Sequence, residues 1–387
     1  MHPTRDATLE ILSDLIGFPT VSADSNLALI DYAAEYLARL GASVQTFRAP
    51  DGTKANLFAT IGPEVDGGIV LSGHSDVVPV TDQAWSSDPF GLRVAEGKAY
   101  GRGTCDMKGF IAAVLATAPH YAKKDLRRPV HFAFTYDEEV GCLGAQALMH
   151  ELALLPFKPS VCIIGEPTEM RIIEGHKGCC EYTVTFSGLE GHGSQPDHGV
   201  NAVEYAVRYV TRLMELRETL KGRAPEGSRF DPPWTTVQVG RLSGGVAHNV
   251  IPGLAQLDWE MRPVRNSDAD FLKREIAAYV NDDLLPAMRA VSKDADISTE
   301  IIGEVDGLEP VPESEALKIV AELTGANGAD LVAFGTEAGL FQKLGISTVV
   351  CGPGSIEQAH KPDEFIALDQ IDQCLVMLDK ITAKLIA

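Results

Sequence analysis

The sequence predicts an α/β protein, in which an open mixed-sheet domain is interrupted by a smaller inserted α+β domain. Three observations carry that expectation. Apolar, strand-favouring runs at residues 69–76, 129–137 and 160–165 alternate with helical stretches, and each meets acids or His at its carboxyl end, as GHSD, YDEEVG and GEPT. Open α/β sheets hold their ligands outside the carboxyl ends of such strands. After Lys177 and Gly178 the rhythm changes to β-α-β-β-α-β, the order of a split, ferredoxin-like unit. The Pro-rich segment LEPVPESEA then returns the chain to the first domain. The expected partition is residues 1–177 with 308–387 for the sheet domain and 178–307 for the insertion.

Taken in order, residues 4–17 and 25–40 carry helical periodicity, and Gly41 is placed to end the second helix in a left-handed turn. Short apolar segments at 43–47 and 56–61 read as strands ahead of the 69–76 run. A Pro- and Gly-punctuated loop and hairpin region follows, and 109–121 reads as a helix packed on the sheet. In the insertion, strands are expected at 180–187, 235–242, 254–262 and 297–305, with helices at 201–220 and 269–284. A helix at 313–323, strands around Val332 and Thr348, and an amphipathic helix at 369–385 complete the first domain.

Composition narrows the function classes. Across 387 residues, 45% hydrophobic and 22% charged content is that of a globular protein able to bury a large core. The net charge of -21 argues against nucleic acid or an anionic membrane surface as partner. Apolar stretches such as 110–116 fall far short of a membrane span. The opening MHPTRDATLEILSDLIGFP is amphipathic and carries acids, unlike a signal peptide. Seven scattered cysteines without a C-x-x-C pair are expected to be reduced thiols in a cytoplasmic protein.

The chemistry-bearing residues cluster at strand ends. Residues two apart on an extended segment point to one side, so His74 and Asp76 can face one cavity. Asp76 could accept the Nδ1 proton of His74 and leave Nε2 for a cation. Asp106 stands at the entry to a helix, where taken alone an ordinary N-cap carboxylate is the simpler reading. Glu138 and Glu139 repel one another as neighbours, but a turn near Gly141 can send both into one pocket. Together with Glu166, and with His360 in GPGSIEQAHKPDE, these residues form an imidazole and carboxylate set suited to zinc, cobalt or manganese. Such a set fits two cations roughly 3.5–4 Å apart.

The segments GHSDVVPV, GRGTCDMKG, YDEEVG, GEPT and AHKPDE, in that order, resemble the M20 family of dinuclear metallopeptidases. SDPFGL, EGHKGCCEY and GVAHNVIPG extend the resemblance over essentially the whole chain. It implies an aminopeptidase-like, dinuclear-metal hydrolase domain with a ferredoxin-like dimerisation domain inserted. Carried over by residue, it makes His74 and Glu166 ligands of one zinc or cobalt ion and Glu139 and His360 ligands of the other, with Asp106 bridging. Asp76 would orient His74, and Glu138 would be the general base toward a water held between the ions. His192 in GHGSQP would reach the active site of the other subunit of a homodimer as an oxyanion donor. Asn249 and Arg262 match positions near the substrate; an Arg fork suits an α-carboxylate, although an internal ion pair would equally occupy Arg262. Gly352 and Gly354 would let the backbone turn close to the substrate. His198, His248 and Lys177 lie near motifs but suit loop or surface roles, and Cys105, beside Asp106, departs from the small residue common there.

The implied reaction is removal of acetyl from N2-acetyl-L-ornithine, giving L-ornithine and acetate for arginine biosynthesis. The alternatives are the same chemistry on succinyl-diaminopimelate, acetylcitrulline, another N-acyl amino acid or a dipeptide. An inactive dimeric scaffold is the non-enzyme alternative, and the intact Glu138 speaks against it.

Overall fold

The apolar run that begins at Ile69 forms the strand Ile69–His74, every residue of which is buried. A computed structural model describes residues 1–386 and divides into two compact units: Met1–Gly175 with Pro310–Leu331 and Thr336–Ala387, and His176–Glu309 with Val332–Gly335. In the first unit a mixed sheet runs in the order Ser43–Arg48, Ala55–Ile61, Val130–Thr135, Ile69–His74, Val161–Pro167 and Ser347–Gly352, with the short strands Ile173–His176 and Asp330–Val332 beyond. The first two pairings are antiparallel. The next three are parallel and form the centre of the sheet. Strands covered on both faces lose the alternation of exposed and buried residues, so VHFAFT and VCIIG are buried throughout, and the polar His131 and Thr135 of the first are hydrogen-bonded to Thr60 and Glu337.

Register decides where the polar residues emerge. His74 lies opposite Thr135, and Ser72 opposite Ile164, on the two flanking parallel strands. The chain therefore leaves all three strands on the same edge within a few residues of His74, Glu138 and Glu166. The helix Lys108–Ala122, buried along nearly its whole length, packs against this centre and against the helices Arg5–Ile16 and Leu368–Leu385. Gly165 permits that approach, since a Cβ there would lie 2.0 Å from the Phe110 ring. The helices Leu143–Leu152 and Ala338–Lys343 pack together and against strands of the same sheet.

The second unit is a four-stranded antiparallel sheet in the order Thr236–Gly244, Leu254–Arg262, Cys179–Ser187, Asp296–Val305. The helices Ala202–Lys221 and Asn266–Tyr279 cover one face. Strict alternation of buried and half-buried residues along Cys179–Ser187 follows from that single cover. Asn201 caps the first helix by accepting from the Val203 and Glu204 backbone N–H groups. Sequence order and strand order together make this the ferredoxin-like arrangement.

The expected helix at 269–284 instead starts at Asn266, passes through a π turn at Val280–Leu284 and continues as Leu285–Arg289. Pro286 sits in the first turn of that last piece, where its missing N–H costs nothing. The helix Leu143–Leu152 has no counterpart in the sequence reading. Its N-cap position is Cys142 in a left-handed conformation with no side-chain cap, so the usual start signal is missing. Among the described residues no helix is long and apolar enough to cross a membrane.

Candidate metal centre

His74 closes its strand with its side chain almost wholly buried. Its Nδ1 lies 2.9 Å from the main-chain carbonyl of Asp76 and 3.5 Å from that residue's Oδ1. The carbonyl, rather than the carboxylate, is thus the nearer acceptor for an Nδ1 proton. The Asp76 carboxylate accepts from Ser22 Oγ at 2.7 Å and from the backbone N–H groups of Glu138 at 3.1 Å and Glu139 at 3.4 Å. It holds the turn carrying the two glutamates against the His74 strand.

Asp106 does not cap the following helix, which begins at Lys108 with Met107 in the N-cap position. Its carboxylate faces two imidazoles. Oδ1 is 3.0 Å from His74 Nε2 and Oδ2 is 3.3 Å from His360 Nε2. Glu166 Oε1 stands 3.6 Å from the same His74 nitrogen, and Glu139 Oε2 is 3.0 Å from His360 Nε2. Glu138 and Glu139 follow Asp137, which adopts φ 54° and is tied to Lys54 by an ion pair of 2.6 Å. His360 is also left-handed, at φ 62°, and its side chain remains 55% exposed whereas that of His74 is 1% exposed.

Electrostatics set the character of the cluster. Burial pushes the carboxyls of Glu138, Glu139 and Glu166 above the usual range, and like-charged neighbours add to it. Burial acts the same way on Asp106, but hydrogen bonds with His360 and His74 outweigh it and hold this carboxyl low. Hydrogen bonds to Asp106 and Glu139 raise the His360 imidazole to about 10. Burial disfavours a charged His74, yet Glu166, Asp106 and Asp76 together hold it well above its ordinary value.

Two sets of ligand atoms lie within 4.8 Å of one another: His74, Asp106 and Glu139, and His74, Glu138 and Glu166. Buried carboxylates in excess over imidazoles, each with an oxygen aimed at the same space, are the donor set that divalent cations neutralise. The residues therefore fit a pair of cations. His74, Asp106, Glu139, Glu166 and His360 could hold them, and Glu138 stands close enough to act alongside.

Other expected site residues lie elsewhere. Gly354, in the first unit, adopts φ +94°, and a Cβ there would sit 2.6 Å from Cys105 Sγ. Cys105 is buried with Sγ 3.2 Å from the Ser355 carbonyl, and burial raises its thiol well above the ordinary range. A buried, protonated thiol is a packing group here. His192, Asn249 and Arg262 belong to the second unit. His192 is exposed on a two-residue strand paired with Val250–Ile251, with Nδ1 2.8 Å from Ser194 Oγ. Asn249 is exposed and its carbonyl accepts from Gly193 at 2.7 Å. The Arg262 guanidinium is paired with Glu260 at 2.7 Å and Glu181 at 3.6 Å.

Sequence reasoning missed three buried residues around the cluster. Glu337 accepts from Thr135 Oγ1 at 2.8 Å and is bonded by Ser72, joining the strands beneath His74 and Glu138. Arg102 and Glu364 form a fully buried pair at 2.8 Å. Both lay inside quoted segments, GRGTCD and AHKPDE; Arg102 is marked by standing between two glycines, whereas Glu364, between Asp363 and Phe365, carries no local signal.

Comparison with known proteins identifies the family of the chain. The family model for peptidase family M20/M25/M40 matches residues 70–384. Acetylornithine deacetylase from Shigella sonnei is 36% identical over 366 residues, covering 92% of each chain. The enzyme of that name from Erwinia tasmaniensis is 37% identical over 369 residues, again covering 92% of each. Among solved structures, an M20 family metallo-carboxypeptidase from Sulfolobus solfataricus superposes with a TM-score of 0.72 at 19% identity, covering 98% of each chain. A dinuclear metal binding peptidase of the M20 family from Bacillus subtilis gives 0.62 at 16% identity, covering 99% of each. Ordered motifs, fold and a carboxylate cluster shared between two imidazoles place this chain among the hydrolases of peptidase family M20/M25/M40.

Proposed function

We propose that this hydrolase removes the acetyl group from N2-acetyl-L-ornithine, giving L-ornithine and acetate for arginine biosynthesis, with two zinc or cobalt ions at the cluster. The observation that carries the metal-dependent chemistry is Asp106, whose two oxygens face His74 and His360 at 3.0 and 3.3 Å. In this reading His74 and Glu166 would hold one ion, Glu139 and His360 would hold the other, and Asp106 would serve both. Bound there, the ions would supply Lewis acidity toward water and an amide carbonyl. The shared name of the curated relatives supports the substrate. Succinyl-diaminopimelate and acetylcitrulline are the alternatives, because one methylene or charge in a pocket changes preference without touching any motif.

Glu138 is the general base. Its carboxylate takes a proton from the attacking water and delivers it to the departing amine. Burial suits it to both tasks, since a raised carboxyl both accepts and releases a proton nearer neutral pH. Asp76 acts through position: its carbonyl orients His74, and its carboxylate seats Glu138. The second unit would form a homodimer, with His192 supplying an oxyanion donor to the other subunit's site. Its exposed ring, hydrogen-bonded at Nδ1 to Ser194 Oγ and open to solvent, supports that role. Seven free cysteines support a cytoplasmic location.

The test is acetate or succinate release from acetylornithine, acetylcitrulline and succinyl-diaminopimelate in parallel, with an EDTA-treated control. Preference for acetylornithine, lost in EDTA and restored by zinc or cobalt, is the expected result. A preference for another of the three replaces the substrate and keeps the mechanism.

A further inference from the structure

The carboxylate of Glu364 is saturated by one loop. Oε1 accepts from the backbone N–H groups of Cys105 at 2.8 Å and Asp106 at 3.0 Å. Oε2 accepts from the Gly103 N–H at 3.0 Å and from Arg102 Nη1 at 2.8 Å. Both side chains are 1% exposed, so the pair is sealed from water. Arg102 extends the network outward: its Nη2 donates to Gln83 Oε1 at 2.6 Å, and Gln83 Nε2 donates to the His360 carbonyl at 2.9 Å. Glu364 also lies on the same return segment as His360, four positions on. One buried ion pair thus grips the loop that presents Asp106 and the loop that presents His360.

We infer that Glu364, together with Arg102, is a positioning residue that fixes the Asp106 carboxylate against His360 and so sets the geometry shared by the two cation sites. The inference rests on the metal centre proposed above. Structural pairing alone does not account for the pattern. Stabilising a loop needs some acceptor, whereas here both oxygens are used on the backbone of the bridging residue and its neighbours, and the second arm reaches a ligand's own carbonyl. A carboxylate held by four donors cannot shift without moving Asp106 with it.

The test is cobalt titration of metal-free protein, followed by visible absorption, for the wild type, Glu364→Asp and Gln83→Ala. Glu364→Asp keeps the charge but shortens the arm by one methylene, so it cannot reach Arg102 and all three N–H groups together. Wild type is expected to bind two equivalents. Glu364→Asp should weaken binding by about 10- to 100-fold and alter the cobalt spectrum. Gln83→Ala, at the outer edge of the network, should weaken one equivalent and spare the other, and it keeps the inference decidable if Glu364→Asp does not fold. A merely structural role would lower the unfolding temperature of the metal-free variants and leave affinity and spectrum as in the wild type; that outcome overturns the inference. Failure of the wild type itself to bind cobalt would instead overturn the metal centre.

Discussion

Oδ1 of Asp76 accepts the backbone N–H of Glu138 at 3.1 Å, while the carbonyl of Asp76 lies 2.9 Å from Nδ1 of His74. One residue therefore joins a proposed ligand to a proposed base. Moving Asp76 displaces both, although it is adjacent in sequence to neither.

Asp76→Asn should accordingly lower turnover and metal affinity together, by about 10- to 100-fold each. The amide keeps the carbonyl contact to His74 but replaces one acceptor oxygen by a donor facing Ser22 or the Glu138 N–H. Kinetics and cobalt titration of the same preparation check this; a loss in kcat alone would confine Asp76 to the Glu138 turn.

Glu138→Ala should lower kcat by at least about 10²-fold while two metal equivalents remain bound. Metal analysis beside kinetics makes the check. Loss of metal in step with activity would make Glu138 a ligand, a role its grouping with His74 and Glu166 makes worth excluding.

His192→Ala should cost on the order of 10²- to 10³-fold in turnover without releasing metal. Mixing it with Glu138→Ala through unfolding and reassociation should restore some activity, because one hybrid site carries both intact residues. No recovery from verified hybrid dimers would remove His192 from the partner's site.

His131 predicts a pH dependence far from the metal cluster. Its ring is fully buried, stacked between Phe58 at 5.1 Å and Phe157 at 5.4 Å, with Nδ1 2.9 Å from Thr60 Oγ1. Burial lowers this imidazole from 6.5 to about 3. The unfolded chain then binds the extra proton first as the pH falls. His131 favours folding fully above about 6.5, and that contribution declines toward pH 3 by at most about 1.4 kcal/mol per pH unit. His131→Phe should flatten the fall in unfolding temperature between pH 7 and 5; an unchanged slope would assign the acid sensitivity to other groups.

Much of the architecture was legible because local physics dictates it. Central strands buried on both faces are predominantly apolar, as VHFAFT and VCIIG are, and helices covering one face of a sheet produce the alternation along Cys179–Ser187. The helix Leu143–Leu152 escaped notice because it lacks a cap, and the break at Val280–Leu284 because a π turn carries no composition signal. In the site, polar residues at strand ends announced themselves by type: His74, Asp106, Glu138, Glu139, Glu166 and His360 were all legible as candidates, and the fold brings them together.

What the sequence determined by itself is therefore the order of elements and the inventory of donors, since both depend on residue type and spacing. The tertiary structure alone decided how those donors share atoms. Asp106 turned from a helix entry toward two imidazoles, His74 took a main-chain acceptor in preference to a carboxylate, and Arg102 and Glu364 met across 262 positions. Strand register and loop closure set those contacts, and both are non-local: a hydrogen bond between distant segments leaves no period in either one.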